Sequence, residues 1–282
     1  MPHQPHRLAV IGAGNMGGAV VRGVLRAGVL PPGRLAVCDT DAAKVSALAA
    51  LGVVTLETPA AALDWLAAAG DNGRLLLAIK PQSLRDLARS VAGHGALRGL
   101  VVISILAGVT RDGVARALPG VRVVRAMPNL PASIGMGATA ICAGPGIDDG
   151  DLAFAGSVFA AIGPLVLPLR EELMDAFTAV AGSGPAYLFY LAAAMRDAAV
   201  VQGLSPADAD AAVRTTLAGA AELLRTSPRS ADELRAAVTS KGGTTEAAVR
   251  VLDARAVRQA VIDAVAAGTD RARELAEQAS GT

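Results

Sequence analysis

Residues 7–17 read RLAVIGAGNMG, a short apolar run that stops at Gly12-Ala13-Gly14-Asn15-Met16-Gly17 and passes into an amphipathic, valine-rich segment. The run is predicted as a buried strand, the G-x-G-x-x-G as the turn that follows, and the remainder as a helix. Each glycine has a task in that reading. Gly12 permits the tight turn, Gly14 lets backbone approach a pyrophosphate, and Gly17 lets helix and strand pack closely, while the free N–H groups of the helix start, at Asn15 and Met16, face the anion. The pattern alone also describes a plain glycine turn; its place between a strand and a helix is what points to a dinucleotide. The predicted fold class is α/β, a Rossmann-type doubly wound sheet.

Outward from this turn, the chain to about Leu169 alternates short Val/Leu/Ile-rich runs with longer Ala-rich segments. That is the pattern of a parallel sheet covered by helices on both faces, with strands expected at 7–11, 34–38, 53–56, 74–79, 100–106, 121–126, 137–142 and 164–169. From Arg170 the texture changes to Ala-rich sequence with apolar residues three and four apart and few β-branched runs, which predicts helices only. Breaks are expected at 182–185, 203–206, 226–230 and 240–244. Two domains follow: residues 1–169, which hold the dinucleotide, and residues 170–282, an all-α oligomerisation domain, on which the resemblance described below also places the substrate. The helices after Asp208 carry few large side chains with which to build a core, so a second copy is expected to complete it.

The second predicted strand ends at Cys38-Asp39, with Asp39 standing 22 residues after Gly17. An acid at that spacing accepts hydrogen bonds from the adenosine ribose and repels a 2′-phosphate, which favours NADH over NADPH; Asp41 adds repulsion and Lys44 offsets part of it. Asp39 reads alternatively as a cap on the helix starting near Ala42. Other strand ends reach the same crevice. Ala78, Lys80 and Pro81 follow the fourth strand, with Lys80 beside the expected nicotinamide ribose or simply solvated; Ala107 and Gly108 follow the fifth and offer bare backbone; Asn129, after the sixth, offers an amide.

Composition narrows the rest. With 26 Lys and Arg against 25 Asp and Glu, and 2% aromatic residues, the chain lacks both the basic field and the stacking surface that nucleic acid requires. Of three histidines, His3 and His6 lie in the polar lead-in and only His94 in the body, so neither a histidine metal site nor a histidine base is expected. Cys38 and Cys142 sit far apart in apolar runs and read as buried thiols, in keeping with a reducing cytoplasm. The start shows no signal-peptide pattern. The uncharged stretch 176–195 is as long as a bilayer span, but its Gly182-Ser183-Gly184-Pro185 reads as a turn between two buried helices, and no membrane is expected.

Six segments, VIGAGNMG (10–17), AIKP (78–81), SILAGVT (104–110), RAMPNLPA (125–132), AGSGPAY (181–187) and VTSKGGTTEAAVRVL (238–252), together resemble the pyrroline-5-carboxylate reductase family. The resemblance implies an NADPH- or NADH-dependent reduction of L-1-pyrroline-5-carboxylate to L-proline, and an interlocked dimer of the helical domain that assembles further, up to a decamer. It places the substrate on Ser240, Gly242, Gly243, Thr244 and Thr245, with Glu171 as the counterpart of a pocket glutamate. The residues themselves agree. The turn opens a helix whose free N–H groups can receive the substrate carboxylate, and the Thr245 hydroxyl is the candidate catalytic group toward the ring nitrogen, although the same residues also describe a simple helix cap.

The chain departs from the family pattern at Leu130, Ala193, Ala236, Ala237 and Lys241, so an asparagine contact before the turn is absent, and Lys241 reads equally as a cation for the carboxylate or a solvated turn lysine. The rival functions are reduction of another cyclic imine, a β-hydroxyacid-dehydrogenase-like enzyme, and a non-catalytic dinucleotide-binding protein. The second wants a lysine on the helix after the glycine turn, where this chain reads Pro185-Ala186-Tyr187-Leu188-Phe189-Tyr190.

Overall fold

The protein is described by a computed structural model over residues 6–280. In chain order it places β1 (Arg7–Ile11), α1 (Asn15–Arg26), β2 (Leu35–Cys38), α2 (Ala42–Ala49), β3 (Val54–Thr55), α3 (Pro59–Ala67), β4 (Gly73–Leu77), α4 (Leu84–Ser90), β5 (Val101–Ser104), α5 (Arg111–Ala117), β6 (Arg122–Met127), β7 (Ala138–Ala143), α6 (Asp149–Ala160) and β8 (Leu165–Pro168). All eight expected strands form, in one sheet of order β3-β2-β1-β4-β5-β6-β7-β8. The order reverses direction between β1 and β4, and that switch point opens the crevice in which such sheets bind ligands.

One strand departs from the expected parallel sheet. β7 runs antiparallel to β6, with Met127 opposite Ala140, because the residues between them form only a short 3-10 segment, Leu130–Ile134. A parallel return needs a crossover of a dozen or more residues. β8 is again parallel to β7.

The central strands are buried on both faces. Leu8, Val10, Val37, Ile103 and Val124 join α1 and α6 in one core, while Ala9, Ile11, Leu75, Leu77 and Val102 join α3, α4 and α5 in another. Double burial explains why these strands read as continuous apolar runs rather than as alternating ones. The far end of the sheet is fastened by charge. Asp151, 1% exposed, takes Arg74 at 2.5 Å and Arg122 at 2.6 Å. His94 is likewise structural, since its Nδ1 accepts the Ala96 N–H and its Nε2 lies 3.2 Å from Asp64. His6 stacks on Phe154, whereas His3 lies outside the described residues.

Beyond β8 come α7 (Met174–Phe177), a π-turn (Thr178–Gly182), α8 (Gly184–Val201), α9 (Pro206–Thr226), α10 (Ala231–Ala237), α11 (Thr244–Ala254) and α12 (Val257–Ser280). Three of the expected breaks are loops. The fourth, at 182–185, is not: Ser183 keeps helical backbone angles between the π-turn and α8, and Pro185 falls in the first turn of α8, where its missing N–H is not needed. Glu171–Val201 is consequently one helical stretch of 31 residues, long and apolar enough by length and composition to cross a bilayer. A sequence break that persists as a helix no longer counts against such a span.

The chain divides into two compact units. One runs through Gly182 and includes the chain from Gly268 onward; the other is Ser183–Ala267. The compositional change at Arg170 therefore marks a change of secondary structure, while packing carries the first unit on to Gly182. Met174 fills a small core with Ala140 and Cys142, and Asn129 holds Ala181. Within the second unit, Ala209 and Val213 are the only buried apolar residues among those described, while Leu188, Phe189, Val201, Leu224, Val251 and Ile262 are exposed. A bundle so poor in core leaves its apolar surface for a partner copy.

Candidate active site

Two of the three glycines are required by the fold at the places the sequence suggested. Gly12 has φ +103°, and a Cβ there would stand 2.5 Å from the Ala78 carbonyl oxygen; its N–H donates to Cys38 at 2.8 Å and so ties the ends of β1 and β2. A Cβ on Gly17 would sit inside the carbonyl group of Gly12. Gly14 is different. Nothing lies within 4 Å of the Cβ it lacks, so the fold does not require glycine there, and the open space is what a phosphate approaching backbone needs. Gly14 is also the N-cap of α1, with no side-chain cap and no acid in the first turn, which leaves the free N–H groups about Asn15, Met16 and Gly17 to an anion. These features fit a dinucleotide pyrophosphate.

Asp39, directly after β2, accepts the N–H of Ala13 at 2.6 Å and of Asp41 at 2.8 Å. It does not cap α2. Asp41 does, taking the N–H groups of Ala43 and Lys44, and the hydrogen bonds and charge of Lys44 hold its carboxyl below the ordinary aspartate range. Lys44 is 3.0 Å from Asp41 and so offsets it first, with a lesser pull from Asp39, which leaves the end of β2 net acidic.

Ala78 donates its N–H to Ile11 at 2.8 Å and lies against Gly12. Lys80 is exposed at the head of a short 3-10 turn opened by Pro81, Ala107 is exposed, and Gly108 bends the turn after β5 with φ +70°. Asn129 differs from its expected part. It is 9% exposed, its amide oxygen accepts from Ala138 and its amide nitrogen donates to Ala181, both at 2.9 Å, so the side chain splints β6 to β7 and to the π-turn.

In the second unit, Ser240–Thr245 forms the turn between α10 and α11. Gly242 has φ +73°, Gly243 donates to Ser240 at 3.0 Å and is the N-cap of α11, and Thr244 and Thr245 occupy the first turn, where backbone N–H groups have no helical partner. Glu246 folds back to accept the Gly242 N–H at 2.8 Å, a contact the sequence reading missed although a glutamate in a first helical turn is its usual signal. Lys241 is exposed beside it.

Glu171 stands in the first unit, just after β8. Its carboxylate accepts from the backbone and guanidinium of Arg111 and lies 2.7 Å from Arg125, which is 3% exposed on the face of β6. Burial alone would push Glu171 up, but the hydrogen bonds and charges of Arg125 and Arg111 outweigh it and hold the group below the ordinary glutamate range. Burial pushes the adjacent Cys142 thiol up, which keeps it inert. The group lines a cavity of about 480 Å³ with Arg111, Cys142, Leu152 and Leu169. Neither arginine was singled out in the sequence, since a lone arginine inside a strand gives no local signal of its partner.

Glu171→Gln is expected to cost about 2 kcal/mol, the loss of charge-assisted hydrogen bonds to Arg111 and Arg125, with Asp175, 3.5 Å from Arg125, still offsetting the buried arginine. Because the folded pKa is depressed, this stabilisation is complete above the unfolded value near about 4.3 and is lost as pH falls through the folded one. Denaturant melts should therefore show the wild type and the variant converging as the solution is acidified.

Residues 171–275 match the family described as pyrroline-5-carboxylate reductase dimerisation, and residues 7–108 that described as NADP oxidoreductase, coenzyme F420-dependent. The pyrroline-5-carboxylate reductase of Synechocystis is 38% identical over 272 residues, 96% of this chain and 99% of its own length. That of Thermus thermophilus is 39% identical over 273 residues, with 96% and 99% covered. The solved structure of a pyrroline-5-carboxylate reductase from Coxiella burnetii has a TM-score of 0.87 at 33% identity, covering 96% of this chain and 99% of that one. With nucleotide turn, sheet and helical region all matched within single relatives, this chain belongs to the pyrroline-5-carboxylate reductase family.

Proposed function

We infer that this chain reduces L-1-pyrroline-5-carboxylate to L-proline, the closing step of proline biosynthesis, and that it self-associates through its helical region. The observation that carries the reading is the end-to-end likeness to curated reductases joined to an intact, anion-ready glycine turn. When bound, the reduced nicotinamide dinucleotide supplies the hydride, which adds to the carbon of the ring C=N while the nitrogen takes a proton. The protein's own task is orientation and charge.

Gly12, Gly14 and Gly17, with the N–H groups about Asn15 and Met16, hold the pyrophosphate, while Ala78, Lys80, Pro81, Ala107 and Gly108 bound the crevice on the side toward the nicotinamide. The N–H groups of the Gly243–Thr245 turn receive the substrate carboxylate as helix starts receive anions, and Thr245 presents its hydroxyl to the ring nitrogen. Following NAD(P)H oxidation by absorbance with pyrroline-5-carboxylate tests the activity directly. Absence of turnover with either cofactor would refute it.

The preferred cofactor is NADH. Asp39, held by the N–H groups of Ala13 and Asp41, faces no cation of its own at the end of β2, since Lys44 pairs first with Asp41. A 2′-phosphate there meets an anion. Asp39→Ser is expected to shift the preference toward NADPH by about tenfold, roughly 1.4 kcal/mol, in the ratio of kcat/KM for the two cofactors. A wild-type enzyme that already favours NADPH would overturn this assignment. A cytoplasmic, decameric assembly of dimers completes the proposal, and light scattering of the purified enzyme tests its size.

A further inference from the structure

The last turns of α12 belong to the first unit, which contains the chain from Gly268 onward. Thr269, Ala272 and Ala276 are each buried, at the three- and four-residue spacing that puts them on one face of the helix, whereas the residues of α12 before Val265 are exposed. Leu275, next to that face, meets Gly108. A Cβ on Gly108 would press on the Leu275 Cβ at 3.2 Å and meet its carbonyl carbon at an ordinary 3.7 Å, so the turn lies in close contact with this residue. Gly108 is doubly constrained, by this approach and by φ +70°.

The turn in question follows β5, two strands from the glycine turn at the ligand-binding edge of the sheet. Leu106 and Val109 anchor its two ends in the core, but between them Ala107 is exposed and only the Val109 N–H to Leu106 bond, at 3.3 Å, closes the turn. We propose that the end of α12 braces the dinucleotide site, with Leu275 as a positioning residue that holds the Ala107–Gly108 backbone where the cofactor meets it. Leu275 does not touch the cofactor in this arrangement; it acts through Gly108. The inference rests on the reading of Ala107 and Gly108 as cofactor-bounding residues. It adds that a residue near the carboxy end of the chain sets dinucleotide affinity.

The test compares Leu275→Ala and Leu275→Met in the full-length enzyme. Leu275 is 42% exposed, so neither change is expected to prevent folding. NADH affinity by fluorescence titration should weaken about fivefold to tenfold in Leu275→Ala, with KM for the cofactor rising and kcat for saturated enzyme nearly kept, and Leu275→Met should restore it to within about twofold. Amide exchange over residues 105–110 should accelerate in Leu275→Ala and return in Leu275→Met. Unchanged exchange would overturn the brace itself. Faster exchange with unchanged NADH affinity would overturn instead the placement of the cofactor against this turn, and a lower melting temperature with neither effect would leave Leu275 as ordinary packing and sink the proposal.

Discussion

Gly17→Ala is expected to abolish dinucleotide binding, with a loss of about a hundredfold or more in NADH affinity, whereas Gly14→Ala three residues away should leave the folded protein untouched and weaken NADH about tenfold. The contrast follows from where each missing Cβ would go. At Gly17 it falls inside the Gly12 carbonyl group and 3.1 Å from the Ala78 Cβ, so α1 must lift away from β1 or the turn must deform. Either shift moves the free N–H groups of the helix start off the phosphate, and a displacement of about 1 Å in such a site costs on the order of a hundredfold. At Gly14 the backbone is extended, with φ −68° and ψ −167°, which any residue adopts, and the space is empty of protein. Alanine there fills room that belongs to the ligand. Fluorescence titration with NADH alongside thermal melts separates the two: Gly17→Ala should lower both affinity and melting temperature, Gly14→Ala affinity alone. Equal melting temperatures for the two variants would show that Gly17 is not a packing requirement.

The nucleotide half was legible because its signals are local. Strands buried on both faces leave unbroken apolar runs, and glycine tasks follow from spacing, so every strand and all three glycines stood where residues 7–17 and their successors placed them. What was illegible is relational. The reversal of β7 depends on how short the path from Met127 to Ala138 is, not on the composition of either strand. Arg125 meets Glu171 across 46 residues, and Arg74 meets Asp151 across 77. Nothing in one stretch announces such a partner. The contacts of Glu171 with two arginines likewise depend on neighbours from α5 and β6. Gly182-Ser183-Gly184-Pro185 does not open a loop because Ser183, the N-cap of α8, keeps helical angles and Pro185 lies in the first turn, where its missing N–H is not needed. Asp41, rather than Asp39, caps α2, so the cap reading of Asp39 falls away.

Thr245→Ala is expected to lower turnover of pyrroline-5-carboxylate by about a hundredfold, roughly 2.7 kcal/mol, the size of effect seen when one donor aimed at developing charge is removed. Local stability should not change with it. The cap of α11 is Gly243, the tie across the turn runs from Gly242 to Glu246, and Thr245 makes neither contact, so alanine, the better helix former, is tolerated at its position. NADH affinity should stay within about twofold, because the residues assigned to the dinucleotide lie on the other unit's sheet and turns. Thr245→Ser keeps the hydroxyl and loses only the methyl group, so its kcat should fall by less than about tenfold. The pattern of the two variants separates chemistry from packing: a hydroxyl that manages charge on the ring nitrogen predicts that serine rescues kcat, whereas a methyl group that merely fills space predicts that alanine and serine behave alike. Full turnover in Thr245→Ala would remove Thr245 from the reaction and leave the free N–H groups of the same turn to hold the substrate without a side-chain donor.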